Sequence, residues 1–98
     1  YAEAYAARCM VIDAAQKRDR GENVTLLAAS CKLFASEMVG RVADKAVQVF
    51  GGAGYIADYG IERFYRDVRI FRLYEGTTQI QQIVIGRGLA KLAKDGLI

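Results

Sequence analysis

From Tyr5 the chain places Cys9, Ile12 and then Ala15 or Gln16 three and four positions apart, which predicts a first helix over residues 1 to about 19 with that stripe on its packed face. Lys17, Arg18 and Arg20 stand near its end, where cations complement the helix dipole, and Gly21 supplies the left-handed residue that closes many helices. Asn23 or Thr25 can cap a second helix over about 24 to 50. Its stripe is Leu27, Cys31, Phe34, Met38, Val42, Ala46 and Val49, and Gly40 is its one interior weak point, by about 1 kcal/mol relative to alanine. The GGAGY run at 51 to 55 stops that helix. Asp58 then caps a short helix over about 60 to 66, residues 67 to 76 read as irregular or extended, and Thr77 or Thr78 caps a last helix to about 94 with Ile80, Ile83, Val84, Arg87, Ala90 and Ala93 on one side. No strand pattern of comparable length and no repeat interrupts this series. The expectation is an all-α, up-and-down four-helix-bundle type, with three long helices here and a further long helix upstream of Tyr1.

Composition sharpens the picture in a few places. With 98 residues, 53% hydrophobic and 26% charged, the chain suits one soluble domain over 1–98. Alanine-rich faces in the first helix supply little apolar area, so they imply partners beyond this stretch. The net charge of +3 is spread along the chain with acids between the bases, which argues against a nucleic-acid surface. Cys9 and Cys31 stand at helical apolar positions without CxxC spacing, and the chain has no histidine, so buried free thiols are expected and metal ligation is not. No apolar run approaches the ~20 residues of a membrane span, and no signal peptide is visible. These features suit a reducing, soluble compartment.

Three stretches carry candidate chemistry. The glycines of GGAG follow a helix and lack the spacing of a dinucleotide fingerprint, which rules out a Rossmann unit. A helix stop explains Gly51 and Gly52, but a turn of bare backbone N–H groups one turn after Gln48 can also admit a phosphate or another chain. In IERFYRDVRIFR, residues 61 to 72, Arg69 and Arg72 read as a solvated face, whereas Arg66 and Asp67 beside Phe64 and Tyr65 could pair and pin the following loop. Glu75, in RLYEGTTQIQ, is either an ordinary acid at a helix N-terminus or a base poised in an apolar pocket, where burial raises a carboxylate's pKa and capping donors lower it.

VQVFGGAGY (47 to 55), FYRDVRI (64 to 70) and YEGTTQIQ (74 to 81), in this order and spacing, resemble the C-terminal domain of the acyl-CoA dehydrogenase family over about residues 20 to 90. That resemblance implies a helical domain following an N-terminal helical domain and a middle β domain. It implies a tetrameric, FAD-dependent enzyme that oxidises acyl-CoA thioesters to trans-2-enoyl-CoA and passes electrons to electron-transfer flavoprotein, in the cytoplasm or, in a eukaryote, the mitochondrial matrix. By position, Glu75 matches the base that takes the α-proton. Gly76 matches a residue lining the acyl-CoA site, and Tyr74 walls the thioester pocket. Thr77 and Gln79, with Thr78 between them, match contacts to FAD. Gln48, Val49, Phe50, Gly51 and Gly52 match a turn that meets the FAD of a neighbouring subunit.

A glutamate at 75 favours the straight-chain branch over those with the base on another helix. One departure is Gly60, where relatives commonly carry proline, which leaves the start of the short helix uncertain. An acyl-CoA oxidase, or a non-catalytic helical oligomerisation module, are the alternatives to be separated from this reading.

Overall fold

The computed structural model describes residues 1–98 and contains α1 (Ala2–Asp19), α2 (Thr25–Phe50), a one-turn α3 (Gly52–Tyr55), α4 (Ile61–Arg69) and α5 (Thr78–Lys94). Two 3-10 turns, Ala57–Tyr59 and Ile70–Arg72, link the later elements, and there is no strand. The fold is all-α, as the pattern predicts.

Local signals account for the boundaries of the long helices. Gly21 takes φ +80°, and the N–H of Glu22 returns to the carbonyl of Lys17, closing α1. Asn23 Oδ1 accepts from the N–H of Thr25 at 3.0 Å, so the side chain that starts α2 lies two residues outside it. Gly51, at φ +61°, ends α2, and α3 follows at once. Thr77 caps α5, its Oγ1 accepting from the N–H of Ile80 at 3.2 Å.

The middle of the chain corrects the expectation. Asp58 lies inside a 3-10 turn and caps nothing. α4 starts after Gly60, whose left-handed φ of +76° a proline ring cannot adopt, so this entry is built around glycine. Helical geometry then runs through Arg72 instead of giving way to extended chain at 67, because residues 67–72 contain no glycine or proline to stop it.

α2 is the common partner of every other helix. Arg41 Nη2 donates to Glu3 Oε1 at 2.8 Å, so α1 runs antiparallel to it. Arg72 lies against Gly40, Thr78 against Glu37 and Gly88 against Leu26, so α4 and α5 descend α2 in tandem, also antiparallel. The result is elongated, 54 × 24 × 20 Å, with a radius of gyration of 16.6 Å where a compact domain of this length would have about 13 Å.

The packed faces are the small-residue ones. Ala7, Ala29, Cys31, Ser36, Gly40, Ala43 and Gly54 are the buried residues, and no large side chain is fully buried. Tyr5, Cys9 and Ile12 on α1, Val42 and Val49 on α2, and Ile80 and Ile83 on α5 are exposed, contrary to their assignment to inner stripes. On α5 the face turned to α2 is Gln81, Val84, Ile85, Gly88 and Leu92. Close approach of helix axes selects small side chains, and a Cβ on Gly88 would lie 3.1 Å from Leu26.

Candidate functional site

The segment between α4 and α5 turns over the middle of α2. It does so with two successive left-handed residues, Glu75 at φ +53° and Gly76 at φ +86°, and Glu75 is the only non-glycine residue in the chain with positive φ. A side chain in that region costs about 1–2 kcal/mol, so the surroundings must hold it there.

They hold the backbone. Lys32 Nζ donates to the carbonyl of Gly76 at 2.6 Å. Gln81 Nε2 reaches the carbonyls of Glu75 and Gly76 at 3.3 and 3.4 Å, occupying the space where a Cβ on Gly76 would sit 2.6 Å away. Before the turn, Arg72 Nη1 faces Glu37 Oε2 at 3.6 Å, and after it Thr78 Oγ1 donates to Glu37 Oε1 at 2.6 Å.

The functional groups of the turn are left open. The carboxylate of Glu75 is exposed and accepts no hydrogen bond within the chain. None of the five consecutive backbone N–H groups from Glu75 to Gln79 has an acceptor in the chain. A free carboxylate thus stands beside a run of free donors at the positive end of α5. Such a combination can take a proton while stabilising negative charge on a neighbouring oxygen.

No apolar pocket encloses Glu75 in this chain. Tyr74, Leu73 and Phe71 flank it but are themselves exposed, and Phe71 and Tyr74 pack on each other with ring centroids 6.0 Å apart. Thr77 and Gln79 lie on the open side of the helix start, Thr77 already serving as cap. The hydroxyl of Thr78 points instead to α2, engaged by Glu37.

Gln48, Val49, Phe50, Gly51 and Gly52 lie together and exposed at the far end of α2, Val49 being 85% accessible. Glu37, under the Glu75 turn, and Gln48 are eleven residues apart on one helix, about 16 Å at 1.5 Å per residue. The two groups of candidate residues are therefore separate surfaces of one chain. Cβ atoms on Gly51 and Gly52 would meet nothing within 4 Å, so this turn presents bare backbone.

Arg66 and Asp67 are both exposed and form no ion pair, which corrects their expected role as a pin. Arg72, expected on a solvated face, has that role: its guanidinium lies over Gly40, 3.1 Å from where a Cβ would begin, with Nε buried and unpartnered. The supporting residues missed by sequence reasoning are Lys32, Glu37, Arg72 and Gln81. The available signal was the placement of Lys32 and Glu37 immediately beside the apolar positions 31, 34 and 38.

The chain matches the family model "Acyl-CoA dehydrogenase, C-terminal domain" over residues 1–90. It is 48% identical over 86 residues to the caffeyl-CoA reductase-Etf complex subunit CarC of Acetobacterium woodii, covering 88% of this chain and 23% of that protein. It is likewise 48% identical over 86 residues to a 3-(aryl)acrylate reductase of Clostridium sporogenes, with the same coverage. Among solved structures it superposes on butyryl-CoA dehydrogenase from Megasphaera elsdenii with a TM-score of 0.85 and 42% identity, over 90% of this chain and 23% of that one. The chain thus spans about a quarter of the length of these relatives.

Proposed function

The chain belongs to the acyl-CoA dehydrogenase family through its C-terminal domain, and on that premise we propose that it is the helical domain of a larger FAD-dependent enzyme that interconverts acyl-CoA and 2-enoyl-CoA thioesters, with Glu75 as the acid–base group. The observation that carries this is the free Glu75 carboxylate beside five unpartnered N–H groups, on a backbone held by α2.

The exposed donors fit a flavin dinucleotide. The N–H groups at the start of α5, the Thr77 hydroxyl and the Gln79 amide suit its phosphates and polar edges, and the bare backbone at Gly51 and Gly52 beside Val49 and Phe50 admits close approach of a large group. In this reading the first set serves one FAD and the Gln48–Gly52 turn serves the FAD of a neighbouring subunit in a tetramer. When bound, FAD would supply the acceptor for the β-hydrogen as hydride.

Glu75 accepts the α-proton of the thioester, and the electron pair left on the α-carbon becomes the new double bond as the β-hydrogen departs. An acyl α-proton is acidic only if the thioester carbonyl is polarised. The N–H of Glu75, next to the base, is one donor able to do this. Gly76 would line the acyl-CoA site with its backbone, the space of a side chain there being taken by Gln81, and Tyr74 would form a wall of that site. Alone, these 98 residues are expected to be inactive, since they span about a quarter of the length of the relatives.

Two relatives are named as reductases, which favours a second direction for the same site. A protonated Glu75 would then deliver its proton to the α-carbon of an enoyl-CoA. One relative is named as part of an Etf complex, supporting electron-transfer flavoprotein as redox partner.

The test is Glu75→Gln in the full-length enzyme. Flavin absorbance should be retained, while flavin reduction by acyl-CoA and turnover of enoyl-CoA in the reverse direction both fall by about 10²–10⁴-fold. Near-normal rates with bound FAD would overturn the assignment.

A further inference from the structure

We infer that Lys32 and Glu37 are positioning residues that mount the Glu75 turn on α2. This rests on the reading of Glu75 as the acid–base group and extends it to residues that touch neither substrate nor cofactor.

The geometry is a three-point suspension. One carboxylate, Glu37, holds both flanks of the turn, Thr78 through Oε1 at 2.6 Å and Arg72 through Oε2 at 3.6 Å. These partners stand three residues after and three residues before Glu75. Lys32, five residues earlier on α2, holds the carbonyl of Gly76 at 2.6 Å, the residue next to Glu75. All three contacts are partly buried and all come from a single rigid helix.

Two features make the mount more than incidental packing. Residues 75 and 76 are both left-handed, and a glutamate does not stay at φ +53° unless its neighbours fix it. Gly40 opens α2 just where the Arg72 guanidinium must lie for Nη1 to face Glu37. None of the tethers uses the Glu75 carboxylate, so the backbone is fixed while the reacting group stays free. A misplacement of about 1 Å at a reacting group can cost about 10²-fold in rate, which is the scale on which such a mount acts.

The experiment compares Glu37→Gln, Thr78→Val and Lys32→Met in the full-length FAD-loaded enzyme, measuring kcat, KM for acyl-CoA, FAD content and amide hydrogen exchange. Each variant should lower kcat by about 10-fold or more, with FAD content kept and KM little changed. Exchange should speed up at Ile80 and Gln81, whose amides bond to Thr77, but not along α2. A Glu37→Ala, Thr78→Val double variant should be no slower than Glu37→Ala alone, because removing the carboxylate already cuts the Thr78 tether. If Glu37→Gln does not fold, Thr78→Val and Lys32→Met carry the test. Unchanged kcat, or lowered kcat with unchanged exchange at Ile80 and Gln81, overturns the inference. Glu75→Gln in parallel separates the two readings: if it stays active, the acid–base role falls, while the exchange data still decide whether α2 holds the turn.

Discussion

The guanidinium of Arg72 occupies the space that a side chain on Gly40 would enter, with Cζ 3.1 Å from the position of a Cβ. The glycine that weakens α2 in isolation is therefore a seat for a cation from the far side of the site. At Gly54 the neighbour is different in kind: a Cβ would lie 2.6 Å from the carbonyl oxygen of Val47, which is backbone and cannot swing away.

The same substitution should thus be tolerated at one glycine and destabilising at the other. Gly40→Ala gains helical propensity of about 1 kcal/mol and shifts only the tip of a flexible side chain, so stability should stay within about 1 kcal/mol of the parent. Gly54→Ala should cost about 1–3 kcal/mol or more as the α2–α3 corner is forced apart. Denaturant unfolding of the two variants checks this.

Glu75 holds a side chain in the left-handed region, at φ +53°. Glu75→Gly relieves a left-handed side chain and should raise stability by about 0.5–1 kcal/mol while abolishing turnover. A variant that melts higher and does not turn over is the expected result. A lower melting temperature would show that the side chain contributes to folding.

At Gly52 the chain has room to spare. Gly52→Leu should leave stability within about 0.5 kcal/mol, since a Cβ there meets nothing within 4 Å. If the turn meets FAD, flavin affinity should fall at least about tenfold, each such factor being about 1.4 kcal/mol of binding. Flavin titration of the apoenzyme measures it.

The Cys31 thiol is held above its ordinary pKa of 9.0, first by burial and then by the nearby charge of Asp13. The folded chain therefore keeps a proton that the unfolded chain releases. Stability from this source is intact below the ordinary thiol pKa and is lost as pH rises from there through the higher folded value. Cys31→Ala should flatten the alkaline part of the stability–pH curve, read by unfolding from pH 8 upward, after subtracting its constant cavity cost.

The long helices were legible because their periodicity runs over many turns and their ends carry glycine and threonine at positions with a local mechanism, as at Gly21 and Thr77. Their inner faces were not. Tyr5, Ile12, Val49, Ile80 and Ile83 dominate any count of hydrophobicity, yet Ala7, Ala29, Ala43, Gly40 and Gly88 let the axes approach, so the packed faces are the less apolar ones. Glu75, Thr77 and Gln79 could be singled out from a contiguous stretch. Their support could not, because Arg72, Thr78 and Glu37 meet only once the chain has turned back along α2.

The turn at 73–77 is also a place where one helix fails to continue into the next. Had the chain run unbroken from α4 into α5, the amide hydrogens of residues 75 to 79 would each have been consumed by a carbonyl one turn earlier. The interruption converts internal bonding capacity into an outward-facing array of donors. It does so while α2 supplies, from beneath, the continuity that the broken helix gives up.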